Sequence, residues 1–600
     1  MPDVEFETCY HSYEVSPEED DNTVSSASLC MSPTSVCDQT AGEPVCASTP
    51  IVHKPLTNGH DVVDNKQTCV NNNDVVNGNV NVSVVSEYVN SMDVLSGGES
   101  DAGDTLTRRN NNSISSTLLG TLREGVSDGP RKRNMDITYF VAKELLMTER
   151  TYKRDLELIT VKWSACVSEL ASVGDEASAA LARACLALEP LALPNGKLLA
   201  KLDRLLANGN RGDEGEEPEY KKIADVLYEH LSSTDKAYLW YSSRAGSLVG
   251  VVESVRRSSA SAARVAAEFD SRSPLPLAAL LLRPLHRALH YHRLAIELYN
   301  ALESSWSVRA LEVGSRVALH ASDQLQHGEN HAALCQLQRD ITGYDKLLVA
   351  EREFIRMGCV YKHSSRGLQQ RMLFLFSDVL VVTSKCGAST FRAHAALALH
   401  SLATAGHDLP HSFTLTGPDI NLLFSAPNDI EYRGWCDALQ ATLELAKKLY
   451  PEVDTELTPY EQEVQAETSQ SSGGGGLAHV CWHRVTSLDR SHLHLAMRTQ
   501  LSGYLLRKFK KSPGWQKLWV VFAVYTLFFY KSWQDDTPLA SLPLLGYSVC
   551  TPTSEDGIDK EFVFKLQFKN HVYFFRADSY YTYNRWTEVL QSAMMRPTPN

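Results

Sequence analysis

The chain has 600 residues, a net charge of −14 and an ordinary globular balance of apolar and charged residues. That length is too great for one core and points to about three or four folded units of roughly 100–200 residues each. The acidic balance argues against nucleic acid as a partner, and the longest apolar runs, "WVVFAV" and "LAALLL", fall well short of the roughly 20 residues a membrane span needs.

The first segment, residues 1–133, holds four aromatics (Phe6, Tyr10, Tyr13, Tyr88) and the low-complexity run "NNNDVVNGNVNVSVV". Its start is acidic and lacks the apolar stretch of a secretory signal. Such a composition cannot bury enough apolar surface to offset its ordering entropy, and a disordered arm is expected. Thirteen cysteines, an odd number without recurring spacing, fit free thiols in a reducing, cytosolic setting.

Residues 134–330 read as long helices. In "FVAKELLMTERTYKRDLELIT", Val141, Leu145, Tyr152, Leu156 and Ile159 fall in one narrow arc at 100° per residue. Glu149 stands at the edge of that arc. Two readings stay open: it snorkels on a solvated edge beside Arg150 or Lys153, or it is reserved for a partner outside the chain. "LPLAALLLRPLHRALHYHRLAIELYNALES" is a second long helix. Pro284 would bend it, Arg283 and Arg287 would cap or pair along it, and His286 and His292 would be partly exposed.

From residue 345 the period changes. Short apolar runs between polar turns ("FIRMGCVYKH", "RMLFLFSDVLVVTSK") predict meandering antiparallel strands, closed by the amphipathic helix "NDIEYRGWCDALQATLELAKKL" at 449. Residues 450–499 read as a linker containing the flexible "QSSGGGG". The same plan then recurs over 500–597, and each copy carries a Trp in its closing helix, Trp435 and Trp586. Cys481, His483, His492 and His494 in the linker invite a zinc site, but their one-residue gaps make poor chelates; no metal or cofactor is expected. No Gly-rich phosphate loop, catalytic triad or paired acid site indicates covalent chemistry.

The helical unit, opening with "ELLMTERTYKRDL" and carrying "LLLRPLHRALHYHRL", resembles a Dbl-homology (RhoGEF) domain. The two repeats resemble pleckstrin-homology domains. Their order, with "EREFIRMGCVYKHSSRGLQQRMLFLFSD" and "GWQKLWVVFAVYTLFFYKSWQDDTPLASLPLLGYS", resembles the FERM, RhoGEF and pleckstrin-domain protein family over about residues 135–597. The FERM domain of that family has no counterpart in residues 1–133, so a short isoform, truncated gene model or fragment is expected. The resemblance implies a multidomain fold: an all-α bundle, two β-barrels each capped by a C-terminal helix, and a disordered arm.

The resemblance also implies a guanine nucleotide exchange factor for a Rac-like Rho GTPase, possessing no covalent chemistry, restrained by its tandem pleckstrin-homology domains and recruited from the cytoplasm to the plasma membrane or cytoskeleton. The alternative is an exchange-inactive, membrane-associated scaffold. The implied GTPase-binding residues are Thr148, Glu149, Tyr152, Arg283, Arg287, His290 and Ser322. Two of these depart from the family pattern: His290 stands where many relatives have lysine, and Ser322 where many have asparagine. A mostly neutral histidine and a short serine imply slow or conditional exchange. Weak attraction to anionic phospholipid is expected at Arg507, Lys508, Lys510, Lys511 and Lys517, on the order of 1 kcal/mol per basic residue. Arg356, Lys362, Arg366 and Arg371 make a lesser cluster in the first repeat.

Overall fold

The computed structural model describes residues 136–172, 177–207, 217–387, 389–450, 452–458, 476–509 and 514–594. The expected disordered arm, residues 470–475 of the Gly-rich linker, and Lys510 and Lys511 lie outside them.

The helical part begins with α1 (Ile137–Glu157), capped by the Asp136 side chain accepting from the Thr138 amide at 3.0 Å. A π-helical turn, Leu158–Trp163, leads into α2 (Ser164–Ser172). Then come α3 (Ala177–Leu186), α4 (Glu189–Ala207), α5 (Ile223–Ser242), α6 (Ala245–Ser258), α7 (Ala260–Arg272), α8 (Leu277–Ala301) and α9 (Ser305–Asp340). The predicted arc is the buried face of α1 and runs on into the π-helical turn: Val141, Leu145, Tyr152, Leu156 and Ile159 are all 2% exposed or less. The long helix α8 runs through Pro284 and is buried on nearly every side, which corrects the expected exposure of His286 and His292 to 3% and 8%. The bundle does not stop near residue 330. Helix α9 continues ten residues further because Ala332, Leu334, Cys335 and Leu337 extend its buried face.

Behind it, β1 (Ile341–Thr342), β2 (Phe354–Ser364), β3 (Gly367–Phe376), β4 (Val379–Lys385), β5 (Phe391–Ala398), β6 (Ala403–Gly406), β7 (Ser412–Gly417) and β8 (Ile420–Ser425) precede α10 (Asp429–Leu449). The sheet runs β1-β5-β4-β3-β2-β8-β7-β6, and Trp435 of α10 is fully buried in its core with Leu373, Leu380 and Phe413.

The segment read as a linker is built structure in its second half: α11 (Leu477–Arg484), β9 (Ser487–Asp489) and α12 (Arg490–Arg498). Strand β9 pairs with the first half of β2, Gly358 facing Ser487. A Cβ on Gly358 would stand 2.3 Å from the Ser487 Cβ, so the close approach of β9 requires glycine there.

The second sheet has the order β13-β12-β11-β10-β16-β15-β14. Its strands are β10 (Leu501–Phe509), β11 (Gln516–Ala523), β12 (Thr526–Tyr530), β13 (Ala540–Pro543), β14 (Ser548–Cys550), β15 (Val563–Phe568) and β16 (His571–Arg576). Helix α13 (Tyr580–Met594) closes it and sinks Trp586 among Leu505, Val520 and Phe575. Both sheets thus follow the plan of strands and one Trp-bearing closing helix. No helix among the described residues is long and apolar enough to cross a membrane.

Candidate functional site

Glu149 is fully buried between α1, α4 and α8. Its Oε2 accepts from Arg287 Nε at 3.0 Å and from Arg287 Nη2, and the Tyr291 hydroxyl lies 2.8 Å from both carboxylate oxygens. Asn195 on α4 donates to Oε1. The edge position on the helical wheel is therefore neither solvated nor free. Arg150 and Lys153, the neighbours that one of the two readings paired with Glu149, engage Asp203 and Glu157 instead. A fully desolvated carboxylate persists because a guanidinium and two further donors replace its water.

The network spreads from there. Arg287 Nη1 donates to Thr148 Oγ1 at 2.9 Å and lies 2.8 Å from His290 Nδ1. His290 Nε2 is 3.1 Å from Glu144 Oε1. Burial first, and then Arg287 and Arg293, lower the His290 pKa to about 3 against the pull of Glu144, so this imidazole is neutral. Tyr152 shares a 3.2 Å hydrogen bond with the Tyr238 hydroxyl. The structure thus brings together Thr148, Glu149, Tyr152, Arg287 and His290. Arg283, one turn earlier on α8, makes a separate buried pair with Asp155 at 2.8 Å. Ser322 is half-buried on α9 and takes no part in the cluster.

A second face of α1 meets the second sheet unit. Arg585 of α13 donates to Glu144 at 3.2 Å, and Thr151 Oγ1 donates at 2.8 Å to Ser502 Oγ, which donates to the Met147 carbonyl at 3.0 Å. Lys143 pairs with Asp578, and the rings of Phe140 and Tyr581 stack at 5.0 Å and 11°. Arg154 lies over Tyr530 at 4.3 Å and Arg150 over Trp533 at 4.6 Å. Burial would raise the Glu144 pKa, but Arg293, Arg585 and His290 hold it far below the usual carboxylate range, so the anion is retained at the seam. Glu144, Lys143, Met147, Thr151 and their partners on α13 and β10 were missed by the sequence reading. Phe140, Glu144, Met147, Thr151 and Arg154 do recur at helical spacing, and that stripe was the available signal.

The basic residues proposed for lipid divide. Arg507 is held between the rings of Phe509 and Phe529 and donates to Gln516 at 3.0 Å. Lys508 is half-buried on β10, and Lys517 is exposed with its ammonium 4.9 Å from the Tyr504 ring. Arg356 is corrected from a surface candidate to a buried ligand of Glu431 at 3.2 Å, beneath β9. Arg366 sits at the β2–β3 turn. Partial burial, followed by Arg371, Arg392 and Lys362, lowers the pKa of His394 on β5, so the three cations act on one imidazole. In the linker, Cys481 is buried in α11, while His483, His492 and His494 engage Lys385, Asp489 and Glu329 respectively. Among the described residues no group of three His, Cys, Asp or Glu side chains is arranged for a metal ion.

A RhoGEF domain model matches residues 141–312 and a PH domain model matches residues 499–595. The chain is 38% identical over 517 residues to FERM, ARHGEF and pleckstrin domain-containing protein 2 of Mus musculus, covering 80% of this chain and 48% of that protein. Against FERM, ARHGEF and pleckstrin domain-containing protein 1 of Gallus gallus it is 35% identical over 492 residues, with 76% and 46% covered. The chain spans about half the length of the curated relatives it matches. Among solved structures it is similar to the linker-DH/PH domains of p115-RhoGEF, at 16% identity and a TM-score of 0.30, over 51% of this chain and 97% of that one. The Glu149 network therefore lies in a RhoGEF domain, and β10 to β16 with α13 form a PH domain.

Proposed function

We propose that this chain, whose homologues are FERM, ARHGEF and pleckstrin domain-containing proteins, is a conditional exchange factor that releases GDP from a Rho-family GTPase. Exchange needs no bond to the protein. It needs a surface that holds the nucleotide-free GTPase more tightly than the GDP form. The face of α1 carrying Glu144, Met147 and Thr151 is that surface, and the buried Glu149–Arg287–Tyr291 network holds α1 against α8 beneath it. The observation that carries this reading is that the PH-matched unit already sits on the same face, through Arg585, Ser502, Asp578 and Tyr581.

In this reading the resting chain is closed, and exchange waits on displacement of residues 499–594. Suppressing exchange tenfold asks only about 1.4 kcal/mol in favour of the closed form. One buried ion pair, two cation–π contacts and a stacked ring pair are enough for that. The sheet over residues 345–449 is read as a further pleckstrin-homology domain, since it repeats the strand plan and the buried closing-helix Trp. The cluster of Lys362, Arg371 and Arg392 suits weak recruitment to anionic membrane. A Rac-like GTPase is the first substrate to test, on the resemblance of the "TERTY" and "LRPLHRALHY" segments.

The rival is an exchange-inactive scaffold. One observation favours it: Glu149 and Arg287 spend their charges on each other. Release of fluorescent GDP from Rac-like and RhoA-like GTPases, measured with residues 136–498 and with residues 136–594, separates the two. Acceleration by the shorter chain alone supports the closed exchange factor. No acceleration by either leaves the scaffold.

A further inference from the structure

The seam between α1 and the PH-matched unit is not filled. It holds a cleft of about 540 Å³, partly open to solvent and within the usual range for small-molecule sites, walled by Phe140 and Met147 on α1 and by Tyr504 and Leu506 on β10. Four cations line it, Lys143, Lys517, Arg576 and Arg585, against two carboxylates, Glu144 and Asp578. Both carboxylates are consumed: Asp578 by Lys143, and Glu144 by Arg585 together with Arg293.

Lys517 and Arg576 remain. Strand register sets both beside Leu506, Lys517 on β11 and Arg576 on β16, so the three side chains share one face in a cation–leucine–cation row. With strands about 4.8 Å apart, the two cations leave the backbone roughly 10 Å from each other. The Lys517 ammonium lies 4.9 Å from the Tyr504 ring, and Arg576 donates to the Glu561 carbonyl at 3.3 Å; among the described residues neither has a carboxylate partner. Two uncompensated cations on an apolar hollow form a site with one unfilled requirement, an anion attached to an apolar body.

We propose that this cavity binds a small anionic amphiphile, its phosphate or carboxylate bridging Lys517 and Arg576 and its chain lying between Phe140, Met147 and Leu506. Such a ligand touches α1 and the PH-matched unit at once. Resting on the closed arrangement proposed above, it has walls on both sides only while the seam is shut, so binding favours the closed form and slows exchange. The site lies on the sheet face turned to the bundle, and is distinct from the Lys362, Arg371 and Arg392 cluster of the first sheet.

The test holds the tail constant and varies the head. Binding of dodecyl phosphate, dodecanoate and dodecanol to the full chain is measured by calorimetry below their aggregation concentrations, on wild type and on Lys517→Ala/Arg576→Ala. One equivalent of a charged amphiphile is expected, with affinity falling at least tenfold in the double variant and for dodecanol. Tighter binding of the phosphate points to lysophospholipid-like ligands, and tighter binding of the carboxylate to fatty acids; either outcome supports the site. Dodecanol binding as tightly as the charged pair, or equal affinity in the double variant, would overturn it. GDP release by residues 136–498 against the full chain, without any amphiphile, reads the closed arrangement independently of the ligand, so a failed site and a failed closed arrangement are told apart. GDP release with bound amphiphile is expected to slow at least threefold, and an unchanged or faster rate would overturn the coupling.

Discussion

Arg287 and Glu149 form a pair in which neither side chain has any exposed surface, joining α8 to α1 through the middle of the bundle. Breaking such a pair from one side strands a buried charge, at a cost of about 3–5 kcal/mol. Arg287→Ala and Glu149→Ala are each expected to lower stability by that amount in urea unfolding. Arg287→Met combined with Glu149→Gln, which removes both charges, is expected to cost less than either alone. Additive losses would show that the two residues do not act as a pair.

Asp340 ends α9 buried, accepting from Gln336 at 2.8 Å, and burial raises its pKa to about 6. An acid raised from 3.8 binds more protons folded than unfolded, so its penalty is absent below pH 3.8 and grows until about pH 6. The gap of about 2 pK corresponds to ~3 kcal/mol. Asp340→Asn keeps an acceptor for Gln336 without the charge. The stability of that variant relative to wild type is expected to rise from near zero at pH 4 to about 3 kcal/mol at pH 7. A constant difference across that range would contradict the assignment.

Glu329 has the opposite sign. It is fully buried on α9 and receives His286 at 3.0 Å, His494, and Arg498 at 3.0 Å, the last two from α12. Burial pushes its pKa up, yet His286, His494 and Arg498 bring it down to about 2. A depressed acid contributes stability that is complete above its unfolded value of 4.5 and is lost as pH falls towards 2. Glu329→Gln is therefore expected to cost about 3 kcal/mol at pH 7 and nothing at pH 2. Hydrogen exchange over residues 490–498 is expected to quicken in the variant, because α12 loses its anchor on the bundle.

Gly358 sets the approach of β9 to β2. Gly358→Ala is expected to push β9 away and cost about 1–3 kcal/mol, as overpacking does. Faster hydrogen exchange at Ser487 and Leu488, with the bundle unchanged, is the expected signature.

The helical arc of α1, the change of period near residue 345 and the repeated Trp-closed plan were legible because each is local and periodic. The environment of Glu149 was not. Its burial depends on Asn195 of α4 and on Arg287 and Tyr291 of α8, residues 46 to 142 positions away. Arg356 illustrates the same limit: a charge at the start of a strand reads as surface until Glu431 and Ser487 close over it. The segment 477–498 looked like a connector because its elements are short, and their apolar residues find partners on elements far away in sequence, as Trp482 does on Phe391 of β5. Helix α8 hid His286 and His292 for a related reason: a helix buried on nearly every side carries no clear stripe to separate inside from outside.

On the proposed reading the PH-matched unit covers the exchange surface of α1, and Arg585 is the residue to change. Arg585→Glu in the full chain sets a second carboxylate against Glu144 at the seam. GDP release from the responsive GTPase is expected to rise at least tenfold, towards the rate given by residues 136–498. A folded Arg585→Glu chain that releases GDP at the wild-type rate, while the shorter chain is fast, would contradict the account.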